Sequence, residues 1–356
     1  MIDGNAQTEA LLEIARKLVL MEPQLDVMQQ RYAGGYSDLA HIIEEQIKKS
    51  DARGKLLLPD LSSFGNQTVA IFSDYGGETS SNYRAYSTLV CGHNNVEVLT
   101  SRMREVRVKH GLGTKEIAFK DFGMGQIQRA LPEYLEGLDL VPGFLFTTVV
   151  DTKIRSLFGP GDRAHREQIS EIFRSAGLVV PKDAVAEKAL RVTHQVAFLS
   201  ALLACNGQNL FWMSDHDAIV PNEAGHKSTL ELFQRLLEIY GPVGRKYGVI
   251  GGATPFEVDE MGFKDLLSST DVVAGVITKY LTDIDRGLDP WASLKSGADK
   301  VLDWLCHEGL GLKKMTIVIR QGDNGVLHTS TLDFHSTEPM PSDVIVLPIP
   351  VKKAGE

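Results

Sequence analysis

Between residues 7 and 49 the apolar positions recur at helical spacing. Leu11, Leu12, Ile14, Ala15, Leu18 and Val19 form one stripe. Gly34-Gly35 interrupts it, and Leu39, Ile42, Ile43 and Ile47 resume it, which predicts two helices. Pro59 and Gly65 mark a connector over 50–66. At Gln67 the period changes. Thr68–Asp74 is a short apolar run ending on an acid, Gly76-Gly77 makes a turn, and Tyr83–Cys91 alternates, which predicts an antiparallel pair of strands. Residues 95–110 read as a charged helix, Glu116–Lys120 as a short strand, and 125–138 as a helix. Phe144–Asp151 is apolar throughout, as in a strand buried on both faces.

Further along, residues 162–206 predict two helices broken around Gly177–Pro181. Asn209–Asp215 predicts a second buried strand, 230–240 an amphipathic helix and Tyr247–Ile250 a last short strand. Helices are expected over 265–281 and 291–308. Met315–Ile319 and Leu327–Leu332, joined around Asp323-Asn324-Gly325, predict a hairpin. The tail beyond Glu338 is Pro-rich and is expected to be loosely attached. Strands mixed with helices in this order predict an α/β core. The expected division is an N-terminal helical extension over 1–60, a core over 67–285, and a C-terminal helix, β-hairpin and tail over 290–356.

Composition narrows the functional classes. The 356 residues are 43% hydrophobic and 23% charged, an ordinary globular balance that needs no disulfide staples. Cys91, Cys205 and Cys306 are scattered and form no CxxC pair, which excludes a zinc ribbon or a thioredoxin-type motif and fits a reducing cytoplasm. The N-terminus does not read as a secretory signal. Apolar runs such as Val196–Cys205 are too short to cross a bilayer, so a cytoplasmic protein with no membrane contact is expected. The net charge of −9 argues against a generic nucleic-acid coat protein. It leaves room for a nuclease, whose metals reverse the local sign of a carboxylate cluster. Any phosphate-binding groove must then come from local Lys and Arg.

Several strands stop on aspartate: Asp74, Asp151 and Asp215, with Asp217 two residues on. In open α/β sheets the ligand crevice lies where strands end. Any one such residue is ordinarily a cap or turn former. Asp271 differs, because it stands within the apolar helical run Leu266–Gly275. A buried carboxylate needs a cation or a metal beside it.

The order of these acids resembles that of a large bacterial domain-of-unknown-function family of RNase H-like proteins read as nucleases. That family's first strand ends in Asp-Glu-Ser-Gly, and Ile71-Phe72-Ser73-Asp74-Tyr75-Gly76-Gly77-Glu78 stands in that place. Its short Glu-Ile-Lys-like strand is matched by Glu116-Ile117-Ala118-Phe119-Lys120, and its central Asp-Lys by Asp151-Thr152-Lys153. Its later strand Asp corresponds to Asp215 or Asp217. Its closing helix, Leu-Ala-Asp-hydrophobic-hydrophobic-Ala-Gly, corresponds to Ser269-Thr270-Asp271-Val272-Val273-Ala274-Gly275. The resemblance covers 67–281. Tyr75-Gly76, Ala118 and Ser269-Thr270 depart from the pattern while the acids remain.

The resemblance implies an RNase H-like mixed sheet and a metal-dependent phosphodiester hydrolase. In such a site two Mg²⁺ or Mn²⁺ ions about 3.5–4 Å apart clamp the attacking and leaving oxygens. The implied catalytic and metal-ligating residues are Asp74, Glu116, Asp215, Asp217 and Asp271, with Asp151 competing with Asp215 for one place. The altered neighbours of Asp74 point to the alternative, a catalytically weak RNase H-like module that works through protein or nucleic-acid contacts. Nucleic acid is the expected partner, with homo-oligomers formed through the N-terminal helices.

Other features offer lesser chemistry. His216 is a candidate for proton transfer, and Lys115 and Lys120 for phosphate contact, though each also suits a solvated turn or edge. The basic run Arg102–His110 suits either nucleic-acid backbone or a solvated helix face. Gly123-Met124-Gly125-Gln126-Ile127-Gln128 imitates a dinucleotide-binding turn but lacks the third glycine. No GxSxG, HExxH or P-loop pattern is present, which removes support for serine hydrolases, zincins and P-loop NTPases.

Overall fold

The computed structural model describes residues 37–77, 81–255, 257–258, 260–293 and 297–335, with the short pairs 20–21 and 351–352. The first predicted helix lies outside these residues except at Leu20–Met21, which pair in parallel with Val351–Lys352. The tail beyond Glu338 is outside them except at that same pair. Glu78 is also outside them.

A seven-stranded mixed sheet forms the centre. Its strands are β1 (Thr68–Gly76), β2 (Tyr83–Gly92), β3 (Gly143–Asp151), β4 (Asn209–Ser214), β5 (Ile250–Ala253), β6 (Leu312–Gln321) and β7 (Leu327–Thr331). They lie in the order β5-β4-β1-β2-β3-β6-β7. β1, β2 and β3 form an antiparallel meander, β4 is parallel to β1, and β5 is parallel to β4. This α/β arrangement is consistent with the RNase H-like core expected from the sequence. β6 adds in parallel to β3 and carries β7 antiparallel, so the C-terminal hairpin extends the same sheet.

Helices cover both faces. One face holds α1 (Asp38–Ala52), α4 (Arg163–Ser175), α5 (Asp183–Leu203) and α6 (Glu223–Tyr240). The other holds α2 (Val96–His110), α3 (Gly125–Asp139), α7 (Met261–Asp285) and α9 (Ala298–Leu305), with the short α8 (Pro290–Ser293) before α9. Along β1, Val69 and Ile71 enter the first core while Ala70 and Phe72 enter the second. Burial on both faces is why β1 reads as a continuous apolar run. Side-chain caps start three helices: Ser37 Oγ accepts from Ala40 N, Asp162 Oδ1 from His165 N and Asn222 Oδ1 from Gly225 N.

Three expectations need correction. Glu116–Lys120 is irregular chain running into a single 3₁₀ turn, Phe119–Asp121, and is not a strand. Ile117 is buried, and Phe119 is half-buried beneath α7. That spacing imitates strand alternation, but β1 already has a partner on each side. The helix expected over 291–308 is two pieces, because Gly297 takes a left-handed φ of 100° between them. The last strand before α7 is Ile250–Ala253, beginning where the expected Tyr247–Ile250 ends. Among the described residues no helix is long and apolar enough to cross a membrane.

Candidate active site

β1 and β4 run in parallel, and Ser73 pairs with Ser214. Asp215 N–H donates to Ser73 O at 3.0 Å, continuing the ladder one residue beyond β4. This register sets Asp74 and Asp215 side by side at the end of the sheet. Asp74 shares a sheet face with Phe72, whose core includes α7. Gly76 brings α7 close: a Cβ there would stand 2.9 Å from the carbonyl carbon of Ala274. One helical turn earlier on α7 lies Asp271. Asp74, Asp215 and Asp271 therefore meet from two strand ends and one helix.

Burial and the charges of neighbouring acids act on all three. The Asp74 carboxyl is pushed well above the usual carboxylate range, first by desolvation and then by the charges of Asp215 and Asp271. Its hydrogen bond from Tyr75 N–H (2.6 Å) and the charge of Lys188 oppose the rise. Asp215 is raised by desolvation and then by Asp217 and Glu116, against the His216 N–H. Asp271 is raised to about 6 by desolvation and by Asp215, although its Oδ2 accepts Phe119 N–H at 2.7 Å.

Glu116 reaches this group on the chain between α2 and α3. Two ties hold that chain. Arg107 of α2 donates to the carbonyls of Gly113 (3.0 Å) and Lys115 (2.8 Å) while pairing with Asp265 of α7. Asp271 holds Phe119, whose ring lies against Gly275; a Cβ there would come within 2.4 Å of it. The Glu116 side chain is exposed, and its charge acts on both Asp215 and Asp265.

The remaining candidates separate. Asp217 pairs with Lys188 of α5, and its Oδ1 accepts Ile219 N–H at 2.8 Å. Asp151 accepts Lys153 N–H of its own turn at 2.9 Å and Gln321 N–H at the end of β6 at 3.5 Å. Its place in the chain suits a cap, and Asp215 is the acid beside Asp74. His216 is exposed, and its charge favours an ionised Asp215. Lys115 Nζ lies 3.0 Å from Met124 Sδ, while Lys120 acts on Asp271 through its charge. Much of the basic run on α2 is paired: Arg102 with Glu136, Arg104 with Glu97 and Lys109 with Glu133. The turn at Gly123–Gln128 opens α3 after a 3₁₀ turn, without the strand that a dinucleotide-binding unit requires.

Sequence reading missed Lys188 and Arg107. Lys188 Nζ stands 4.6 Å from the centre of the Tyr75 ring and, from the opposite face of the sheet, lowers the proton affinity of Asp74. The available signal was a lysine inside the apolar run of α5, where Ala186, Ala189, Leu190 and Val192 are all buried. Arg107 was hidden among the other basic residues of α2.

The acids do not close into a ligand set as they stand. Among the described residues no three His, Cys, Asp or Glu side chains are grouped closely enough to hold a metal ion. No protein-family model and no curated protein matches this chain.

Proposed function

We propose that this chain is a metal-dependent phosphodiester hydrolase, a nuclease related to the RNase H-like family it resembles, with Asp74, Asp215, Asp271 and Glu116 as its reactive edge. The observation that carries this reading is the raised proton affinity of three desolvated aspartates from separate elements at one end of the sheet, each with acidic neighbours. Such tuning is concentrated at functional sites. The donors are hard carboxylate oxygens, the type that Mg²⁺ and Mn²⁺ take. Their spacing fits an ion less well than their chemistry does, so binding an ion there requires the carboxylates to move inward. Bound there, divalent ions would supply an activated water and charge stabilisation at the phosphate. The protein's own part is positional: Arg107 and the Asp271–Phe119 bond fix the chain bearing Glu116, and the β1–β4 ladder fixes Asp74 beside Asp215. The three free cysteines support a reducing cytoplasmic setting.

Thermal melting of the wild type, Asp74→Asn and Asp271→Asn, each with EDTA, Mg²⁺, Mn²⁺ or Ca²⁺, tests the site. Mg²⁺ and Mn²⁺ should stabilise the wild type, by about 2.7 kcal/mol at a hundredfold excess over Kd. Each variant should lose most of that shift, gain stability without metal as a repelling charge disappears (roughly 2–3 kcal/mol for Asp271→Asn at neutral pH), and lose cleavage of RNA and DNA. Ca²⁺ should stabilise without supporting cleavage, because its looser coordination misplaces the water. A wild-type melting point indifferent to all three ions at millimolar levels would sink the metal site. The open spacing of the acids favours a second reading, a catalytically weak module that binds nucleic acid or protein. Metal-dependent stabilisation with no cleavage of either nucleic acid would select it.

A further inference from the structure

On the opposite face of the sheet, beside the Asp74 edge, two cavities join. The smaller, about 150 Å³, lies against Tyr75, Gly76 and Lys188. The larger, about 370 Å³, is bounded by Arg84, Arg155, Arg166, His165 and Ser156. Arg84 of β2 and Ala184 of α5 line both, so the two form one groove. It starts at Lys188, whose charge reaches Asp74, and runs outward past three arginines.

The charge in this groove opposes that of the whole chain, whose net value is −9. Elsewhere on the surface Arg102, Arg104, Arg163, Arg174 and Arg235 are each answered by a glutamate. Arg84 and Arg155 are exposed and have no ion pair among the described residues. The groove's acid, Glu187, is turned inward. Its oxygens accept from Ser156 Oγ (2.8 Å), Leu157 N (3.0 Å) and Arg191 Nε (2.8 Å). The wall is built: Gly159 packs so tightly that a Cβ would stand 2.4 Å from the His165 ring, and Gly161 takes a φ of +67° against Arg155. Guanidinium groups bind phosphate through paired N–H donors.

We propose that this groove holds the phosphate backbone of a single nucleic-acid strand and leads it to the Asp74 edge. The substrate class rests on the phosphodiesterase reading, whereas the binding itself needs no metal. A cavity of this size holds a mononucleotide-sized group, in the range of small-ligand sites. A strand must therefore leave its complement to enter.

The test is fluorescence anisotropy of the full chain with a labelled single-stranded oligonucleotide, DNA and RNA in turn, in EDTA. Arg84→Glu/Arg155→Glu should weaken binding about tenfold or more and lower the salt slope by about 1.4, as two phosphate contacts are lost. Both side chains are exposed, so the variant should fold, which circular dichroism checks; Arg84→Lys/Arg155→Lys should retain part of the affinity. Arg102→Glu/Arg104→Glu on α2 makes the same charge change elsewhere and should bind like the wild type. Equal losses in the two reversed variants, wild-type affinity in the groove variant, or no strand binding by the wild type would each overturn the proposal. Binding of a nucleoside monophosphate without the oligonucleotide would also overturn it, leaving a mononucleotide pocket. Failure of the metal reading appears separately, in the melting experiment.

Discussion

Asp265 and Asp271 stand six residues apart on α7, and both carboxyls are raised to about 6 by burial. Their surroundings differ. Asp265 is 1% exposed and is answered by the guanidinium of Arg107, which also ties down the neighbouring chain. Asp271 is answered by one backbone N–H and the charge of Lys120, makes no ion pair among the described residues, and faces Asp215. Burial alone therefore does not mark a reactive acid. A desolvated carboxylate with its own cation serves as a fastener. One set among like charges has its proton affinity raised further by its neighbours.

Removing the fastener should have the largest effect on this contrast. Arg107→Met leaves Asp265 buried and unpaired and should cost about 3–5 kcal/mol in urea unfolding at neutral pH. The cost should shrink near pH 5, where Asp265 is protonated. Equal losses at the two pH values would mean that Arg107 acts through packing alone. Proton linkage should give a smaller effect. The native state holds the Asp271 proton up to about 6, whereas an unfolded aspartate releases it near 3.8. Between those values the folded chain binds more protons, so stability falls as pH rises and the loss is complete above about 6. For Asp271 this amounts to roughly 2–3 kcal/mol. Asp271→Asn should remove that share of the slope in EDTA melting curves, leaving the share due to Asp265; an unchanged slope would place the titration elsewhere. The smallest effect belongs to Asp217→Asn. Its pair with Lys188 is partly exposed, so the change should stay within about 1 kcal/mol and leave any metal-induced shift intact. Loss of that shift would move Asp217 into the ligand set.

The strands were legible because β1, β3 and β4 are buried on both faces or end abruptly on acids. The hairpin was legible from Asn324-Gly325, where Gly325 has φ 79°. The meeting of Asp74 with Asp271 was suggested by an acid in an apolar helix. The separation of Asp215 from Asp217 was not visible: two residues apart beyond a strand, they turn to different partners, and the partner of one, Lys188, comes from another helix. Glu116 was singled out on an element that was misread, because a loop pressed beneath α7 shows the same alternation as a strand. The basic groove was also invisible, since Arg84, Arg155 and Arg166 come from a strand, a loop and a helix.

The outer strands of the sheet bear on how copies of this chain meet in a crowded solution. β5 has four residues, two of them glycine, and β7 has five, with His328 and Ser330 exposed. Long, flat, apolar margins recruit further strands and lead to aggregation. These margins are short on one side and polar on the other. Growth by strand addition is thus discouraged at both ends of this sheet.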